Sequence, residues 1–197
     1  VPGCSENKEL RGALQELEEQ GTAVVLTEKD VKNAGMDGVF ADGFRGAYEG
    51  ICRLLEKGCK KIAIILGQPE MDAVTEERYR GCLQALEDNG ISGAEKMVLR
   101  EAEDLSRVFQ GKKLPDAFFA LNQIAADQCI RELFKCKKVG MEKIIFMGMD
   151  AENTAQVLGD EMISVEKDRR KQGKEAVKLL LEAFDAEEND RIRGKRI

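Results

Sequence analysis

What most constrains this chain is a near-strict alternation of two patterns. Apolar runs of strand length, TAVVLT (22–27), KIAIIL (61–66), KMVL (96–99), DAFFAL (116–121), KIIFMGM (143–149) and MISV (162–165), are separated by stretches with helical periodicity. Continuous rather than alternating apolar runs predict strands buried on both faces. Joined by helices, such strands predict parallel sheets with helices on both sides, the α/β class. Four helical faces stand out: Leu10, Ala13, Leu14 and Leu17; Ala47, Ile51, Leu54 and Leu55; Cys129, Ile130, Leu133 and Phe134; and Val177, Leu180, Leu181 and Phe184. Gly21, Gly58 and Gly90 stand directly after helical patterns, where helix-ending glycines belong. The first helical pattern has no strand before it, so the chain reads as starting inside a longer fold.

Several strand-like runs share a second property: they end on polar residues. GVFAD ends on Asp42, FFALN on Asn122 and FMGMD on Asp150, and MISV is followed by Glu166 and Lys167. Open parallel sheets bind ligands at the carboxyl ends of their strands, where the loops diverge. Each of Asp42, Asn122 and Asp150 also suits the ordinary role of capping the helix after it, worth about 1 kcal/mol. Their recurrence along one edge points to a site that hydrogen-bonds hydroxyl groups. Arg78, in TEERYRGCLQAL, follows the loop GQPEMDAV and falls near the same edge.

Composition narrows the function. With 31 basic and 37 acidic residues the net charge is −6, and both signs are scattered, which argues against nucleic-acid binding by this chain itself. The basic tail RIRGKRI reads as a solvated edge strand protected by charge. The cysteines at 4, 52, 59, 82, 129 and 136 form no C-x-x-C and there is no histidine, so no metal site and no cofactor are expected. Cys52, Cys82 and Cys129 fall in helical apolar patterns and read as small buried hydrophobes, and reduced thiols point to the cytoplasm. The apolar runs are far shorter than the roughly 20 residues that cross a bilayer, so no membrane span is expected. Without histidine, G-x-G-x-x-G or a P-loop lysine, an enzyme is not the expected reading; its version here would use Asp42 and Asp150 as acid and base.

In order and spacing the motifs resemble the effector-binding domain of the lactose and galactose repressor (LacI/GalR) family of bacterial transcription regulators. The pieces are GTAVVLTEKD, FADGFRGAYEGICRLLEKGCKKIAIILG, ERYRGCLQAL, PDAFFALNQIAADQCIREL, IIFMGMD and ISVEKDRRKQGKEAVKLLL, which together span nearly the whole chain. The resemblance implies a periplasmic-binding-protein-like fold of two doubly wound parallel-sheet lobes, crossed three times by the chain, with a sugar or nucleobase between them. One lobe would hold residues 1–57 and 167–188, the other 58–166 and 189–197. The first lobe would be incomplete, because the helix-turn-helix and the first two strand–helix units of that family have no counterpart here. The family's ligand-contacting positions fall on Asp42, Arg78, Asn122, Asp150 and Lys167.

Departures are informative. Cys59 replaces a usual histidine and Gln123 a usual aspartate, and Asp168 and Arg169 stand where aromatic rings can stack on a sugar. Arg78, Lys167 and Arg169 suggest an anionic or phosphorylated effector. The resemblance also implies a homodimer, contact with DNA only through a helix-turn-helix outside this sequence, and effector-driven lobe closure. A periplasmic solute-binding component of a sugar transporter is the rival reading.

Overall fold

The structure, a computed structural model, describes residues 8–27, 36–93, 97–111, 113–136, 143–158, 162–185 and 195–196. Cys4, Lys96 and residues 191–194 and 197 of the basic tail lie outside the described residues. The chain divides into two compact units, Val1–Asp42 with Lys167–Ile197, and Gly43–Glu166.

The larger unit is the doubly wound sheet that the apolar runs predict. Its elements alternate: α2 (Gly43–Glu56), β3 (Ile62–Ile65), α3 (Ala73–Asp88), β4 (Val98–Leu99), α4 (Ala102–Gln110), β5 (Ala117–Ala120), α5 (Gln123–Lys135), β6 (Ile145–Met149), α6 (Glu152–Leu158) and β7 (Met162–Val165). The five strands run parallel in the order β4-β3-β5-β6-β7. Because successive strand residues point to opposite faces, the sheet feeds two cores. Ile62, Ile64, Phe119, Leu121 and Met147 pack with Ala47, Ile51 and Leu54 of α2 and Cys82, Ala85 and Leu86 of α3. Ala63, Ile65, Phe118, Ala120 and Phe146 pack on the other side with Leu105 and Phe109 of α4 and Ala125, Ala126 and Cys129 of α5. Both faces being covered, the strands can be apolar throughout, which is why they read as unbroken runs.

Helices α2 and α3 touch so closely that a Cβ at Gly81 would collide with the Phe44 carbonyl oxygen. Tyr48 donates its hydroxyl to Asp88 across the same pair at 2.9 Å. At the end of α3, Gly90 takes φ +73°, its N–H bonds the Glu87 carbonyl, and Ile91 N–H reaches back to the Leu86 carbonyl. Gly58 repeats this after α2 with φ +88°. Both are the left-handed helix endings that glycine serves at no steric cost.

The smaller unit comprises α1 (Lys8–Glu19), β1 (Val25–Leu26), β2 (Asp37–Phe40), α7 (Arg169–Asp185) and β8 (Lys195–Arg196), with a parallel sheet in the order β1-β2-β8. Gln172 of α7, 6% exposed, donates through Nε2 to the carbonyls of Thr27 and Val39 (2.9 Å for the latter), tying the helix to the ends of β1 and β2.

The structure departs from the sequence pattern at four points. The units divide after Asp42 rather than after Lys57, because the apolar face of α2 packs on α3 and the larger sheet. In the tail, β8 pairs with β2 at Val39↔Lys195 and Phe40↔Arg196, within the smaller unit. The final helix buries Gln172, Ala176 and Leu179, spaced i, i+4, i+7, while Val177, Leu181 and Phe184 are 55–73% exposed. In α5, likewise, Cys129 and Ile130 are buried and Phe134 is 67% exposed.

Candidate functional site

In the larger sheet the chain steps from β3 out to the edge at β4, then crosses back to β5 on the other side of β3. The carboxyl ends of β3 and β5 therefore flank a topological switch point, the place where such sheets leave room for a ligand. Here the structure gathers three of the five expected residues.

Asn122 follows β5 and caps α5. Its Oδ1 accepts the Ala125 N–H at 2.8 Å, with extended backbone at φ −162°. Its Nδ2 donates to the Leu66 carbonyl at 3.0 Å, so the same amide ties β5 to the end of β3 across the switch point. Capping is realised, and among the described bonds one amide N–H and one Oδ1 lone pair are still unused.

Arg78, in the second turn of α3, is 8% exposed. The helix starts at the Asp72 cap, whose carboxylate accepts Thr75 N–H at 2.8 Å, and this sets the turn that Arg78 occupies. From there Nη1 donates to the Leu121 carbonyl at 2.7 Å and Nη2 to Asp150 Oδ2 at 2.5 Å. Its Nε is buried without a hydrogen-bond partner.

Asp150 ends β6 with φ +51°, the one non-glycine residue with positive φ among those described. Aspartate tolerates that conformation better than most residues. Its backbone N–H still bonds Val165 of β7 at 3.1 Å, while its carboxylate, only 20% exposed, turns to Arg78 instead of capping α6.

The edge continues to β7. Glu166 accepts the Ser164 hydroxyl, and its carboxyl is held above the usual range, first by burial and then by its hydrogen bond with Glu152 and the charge of Asp150. Asp42 and Lys167, the remaining two expected residues, are half-buried and stand at the two points where the chain passes from one unit to the other, Asp42/Gly43 and Glu166/Lys167.

Chemically, this edge presents a matched guanidinium and carboxylate, an amide with free capacity and a second carboxyl, that of Glu166, a set that can bracket vicinal hydroxyls. Among the described residues no group of three potential metal ligands converges. Sequence reasoning missed Gln172, and it missed Thr154, 4% exposed in α6, whose hydroxyl bonds Asp127 of α5 at 2.6 Å. An isolated threonine inside a short polar helix gives no signal without its partner.

Comparison with known proteins bears on the fold and the family. The profile of the periplasmic binding protein-like domain matches residues 51–195. The chain is 30% identical over 159 residues to the HTH-type transcriptional repressor PurR of Haemophilus influenzae (strain PittGG), covering 76% of this chain and 46% of that protein. It is 29% identical over 150 residues to the NTD biosynthesis operon regulator NtdR of Bacillus subtilis (strain 168), covering 73% and 45%. The chain thus spans about half the length of the curated relatives it matches. Among solved structures, a LacI family transcriptional regulator from Enterococcus faecium with bound ribose superposes with a TM-score of 0.75 at 21% identity, over 97% of this chain and 72% of that one. A LacI transcriptional regulator from a Rhodococcus species gives 0.76 at 18% identity, over 95% and 70%. At such identities the likeness is one of fold.

Proposed function

The chain belongs to the periplasmic binding protein-like domain family, and from that premise we propose that it is the effector-sensing domain of a LacI-type transcriptional regulator. The observation that carries the reading is the Arg78–Asp150–Asn122 cluster at the switch point of the larger sheet. The curated relatives, named as regulators rather than enzymes, support it. Effector binding favours one conformational state of the module over another, and that difference sets the DNA affinity of helix-turn-helix heads elsewhere in the full-length protein. Such a protein works in the cytoplasm; no described helix is long and apolar enough to cross a membrane.

The effector we infer is a neutral sugar or sugar derivative. Arg78 offers no net charge to an anion, because Asp150 already matches it at 2.5 Å, and this weighs against the phosphorylated ligand that the basic residues suggest in sequence. The solved relative with bound ribose is consistent with a polyhydroxylated ligand. Asp42 and Lys167 remain proposed contacts on the strength of the family pattern alone.

A homodimer is part of the proposal. The apolar faces of α2 and α3 are spent on each other and on the sheet, whereas Ile124, Phe134 and Val157, on α5 and α6, are 55–72% exposed and leave apolar side chains for a second copy to cover. Calorimetric titration of the full chain with D-ribose and with ribose 5-phosphate tests the ligand class. The neutral sugar should bind more tightly; tighter binding of the phosphate overturns the assignment.

A further inference from the structure

Beside the effector cluster lies a ring of hydrogen bonds to which no role has been given above. Gln123 and Asp127 stand one turn apart at the start of α5, and Thr154 stands in the first turn of α6. Gln123 Nε2 donates to Thr154 Oγ1 at 2.5 Å and to Asp127 Oδ1 at 2.6 Å, and the Thr154 hydroxyl donates to the same Asp127 oxygen at 2.6 Å. Every donor in the ring finds its acceptor, and both donors to Asp127 end on a carboxylate, the stronger kind of bond. Thr154 is 4% exposed, so water competes little for its hydroxyl.

The ring's position gives it consequence. Gln123 directly follows Asn122, and Thr154 lies one helical turn after Asp150. Helix α6 has only 7 residues, too few to hold its own orientation by helix propensity, yet it follows the residue whose φ of +51° aims a carboxylate at Arg78. Ala151, fully buried, is joined to Ala155 by the first helical bond at 2.9 Å, so any swing of α6 moves the Asp150 turn with it.

We propose that Gln123, Asp127 and Thr154 are positioning residues: their ring locks α6 to α5 and so fixes the spacing between Asn122 and the Asp150–Arg78 pair. The inference rests on the reading of those three residues as the effector site, and it adds how that site is kept in shape before any ligand arrives. In this role the ring acts through Asn122 and Asp150.

The test uses the full chain and a readout that needs no ligand. The side-chain Nε–H of Arg78 is buried, and its solvent exchange, followed by NMR, reports whether Asp150 still holds the guanidinium. Thr154→Val, which keeps shape and removes the hydroxyl, should speed that exchange at least tenfold, and Thr154→Ser should restore it. Should Thr154→Val not fold, Gln123→Met carries the same expectation. Unchanged Arg78 exchange in a folded Thr154→Val or Gln123→Met variant overturns the proposal, as does faster exchange that Thr154→Ser fails to restore. A parallel titration of the wild-type chain with D-ribose bears on the effector reading alone, so failure of the two ideas can be told apart.

Discussion

Replacing Asp150 by alanine should be among the costliest single changes in this fold. The guanidinium of Arg78 sits with its side chain 10% exposed, and its two bonded nitrogens depend on Asp150 and on the Leu121 carbonyl. Its Nε is already without a partner. Removing the carboxylate leaves a buried cation facing one carbonyl dipole, a situation that costs about 3–5 kcal/mol when a buried pair loses one member. Asp150 is 20% exposed, so some water reaches the gap and the lower half of that range is the better expectation. For a chain of this size a kilocalorie moves the melting temperature by roughly 2–4 °C, giving a fall of about 6–16 °C. Urea and thermal melts of Asp150→Ala, Arg78→Met and the double variant form the cycle. Once the cation is gone the missing carboxylate matters less, so the double variant should be at least 1 kcal/mol more stable than the sum of the single costs requires, on the order of coupling seen for contacting residues. A single-variant cost below about 1 kcal/mol, or simple additivity, would refute the account of a buried, mutually dependent pair.

Other consequences can be checked with the same melts. Asn122→Ser keeps an oxygen for the Ala125 N–H but loses the bond to the Leu66 carbonyl, so the urea midpoint should fall by the equivalent of about 1 kcal/mol, and Asn122→Ala, losing both, by about 2. Gly81→Ala drives a methyl group into the Phe44 carbonyl and should cost about 1–3 kcal/mol as α2 and α3 are forced apart; an unchanged melt would mean the helices do not approach so closely. Glu166 binds its proton more tightly folded than unfolded, so the folded state holds more protons above the usual carboxylate range, and stability falls as pH rises from that range through the raised value. Glu166→Gln should flatten this slope, and an unaltered slope would assign it to another group.

How much of this could be read in the residues follows from range. The strands of the larger unit were visible because burial on both faces makes a run such as DAFFAL apolar at every position, and local pattern is enough to see it. Gly58 and Gly90 were visible because a left-handed helix ending favours glycine whatever lies around it. Asn122 and Asp150 were singled out by placement at strand ends and Arg78 by following a loop near the same edge, but not that Arg78 would spend its charge on Asp150, 72 residues away. The same limit hid Gln172, whose partner Thr27 is 145 residues distant. In α7 two apolar stripes compete, and only the sheet decides that 172, 176 and 179 face inward while Val177, Leu181 and Phe184 do not. That α2 packs with the larger sheet was hidden for a related reason: its face is equally apolar whichever sheet it covers.

The central claim is that the cluster at the switch point holds a neutral sugar-like effector. Isothermal titration of D-ribose into the full chain and into Asn122→Ser tests it most directly, because the substitution keeps the helix cap and removes the amide. Saturable heat in the wild type, weakened at least tenfold in a variant that still melts cooperatively, is the predicted result. Equal affinity in the two proteins would contradict it, placing the sugar somewhere other than the ends of β3, β5 and β6.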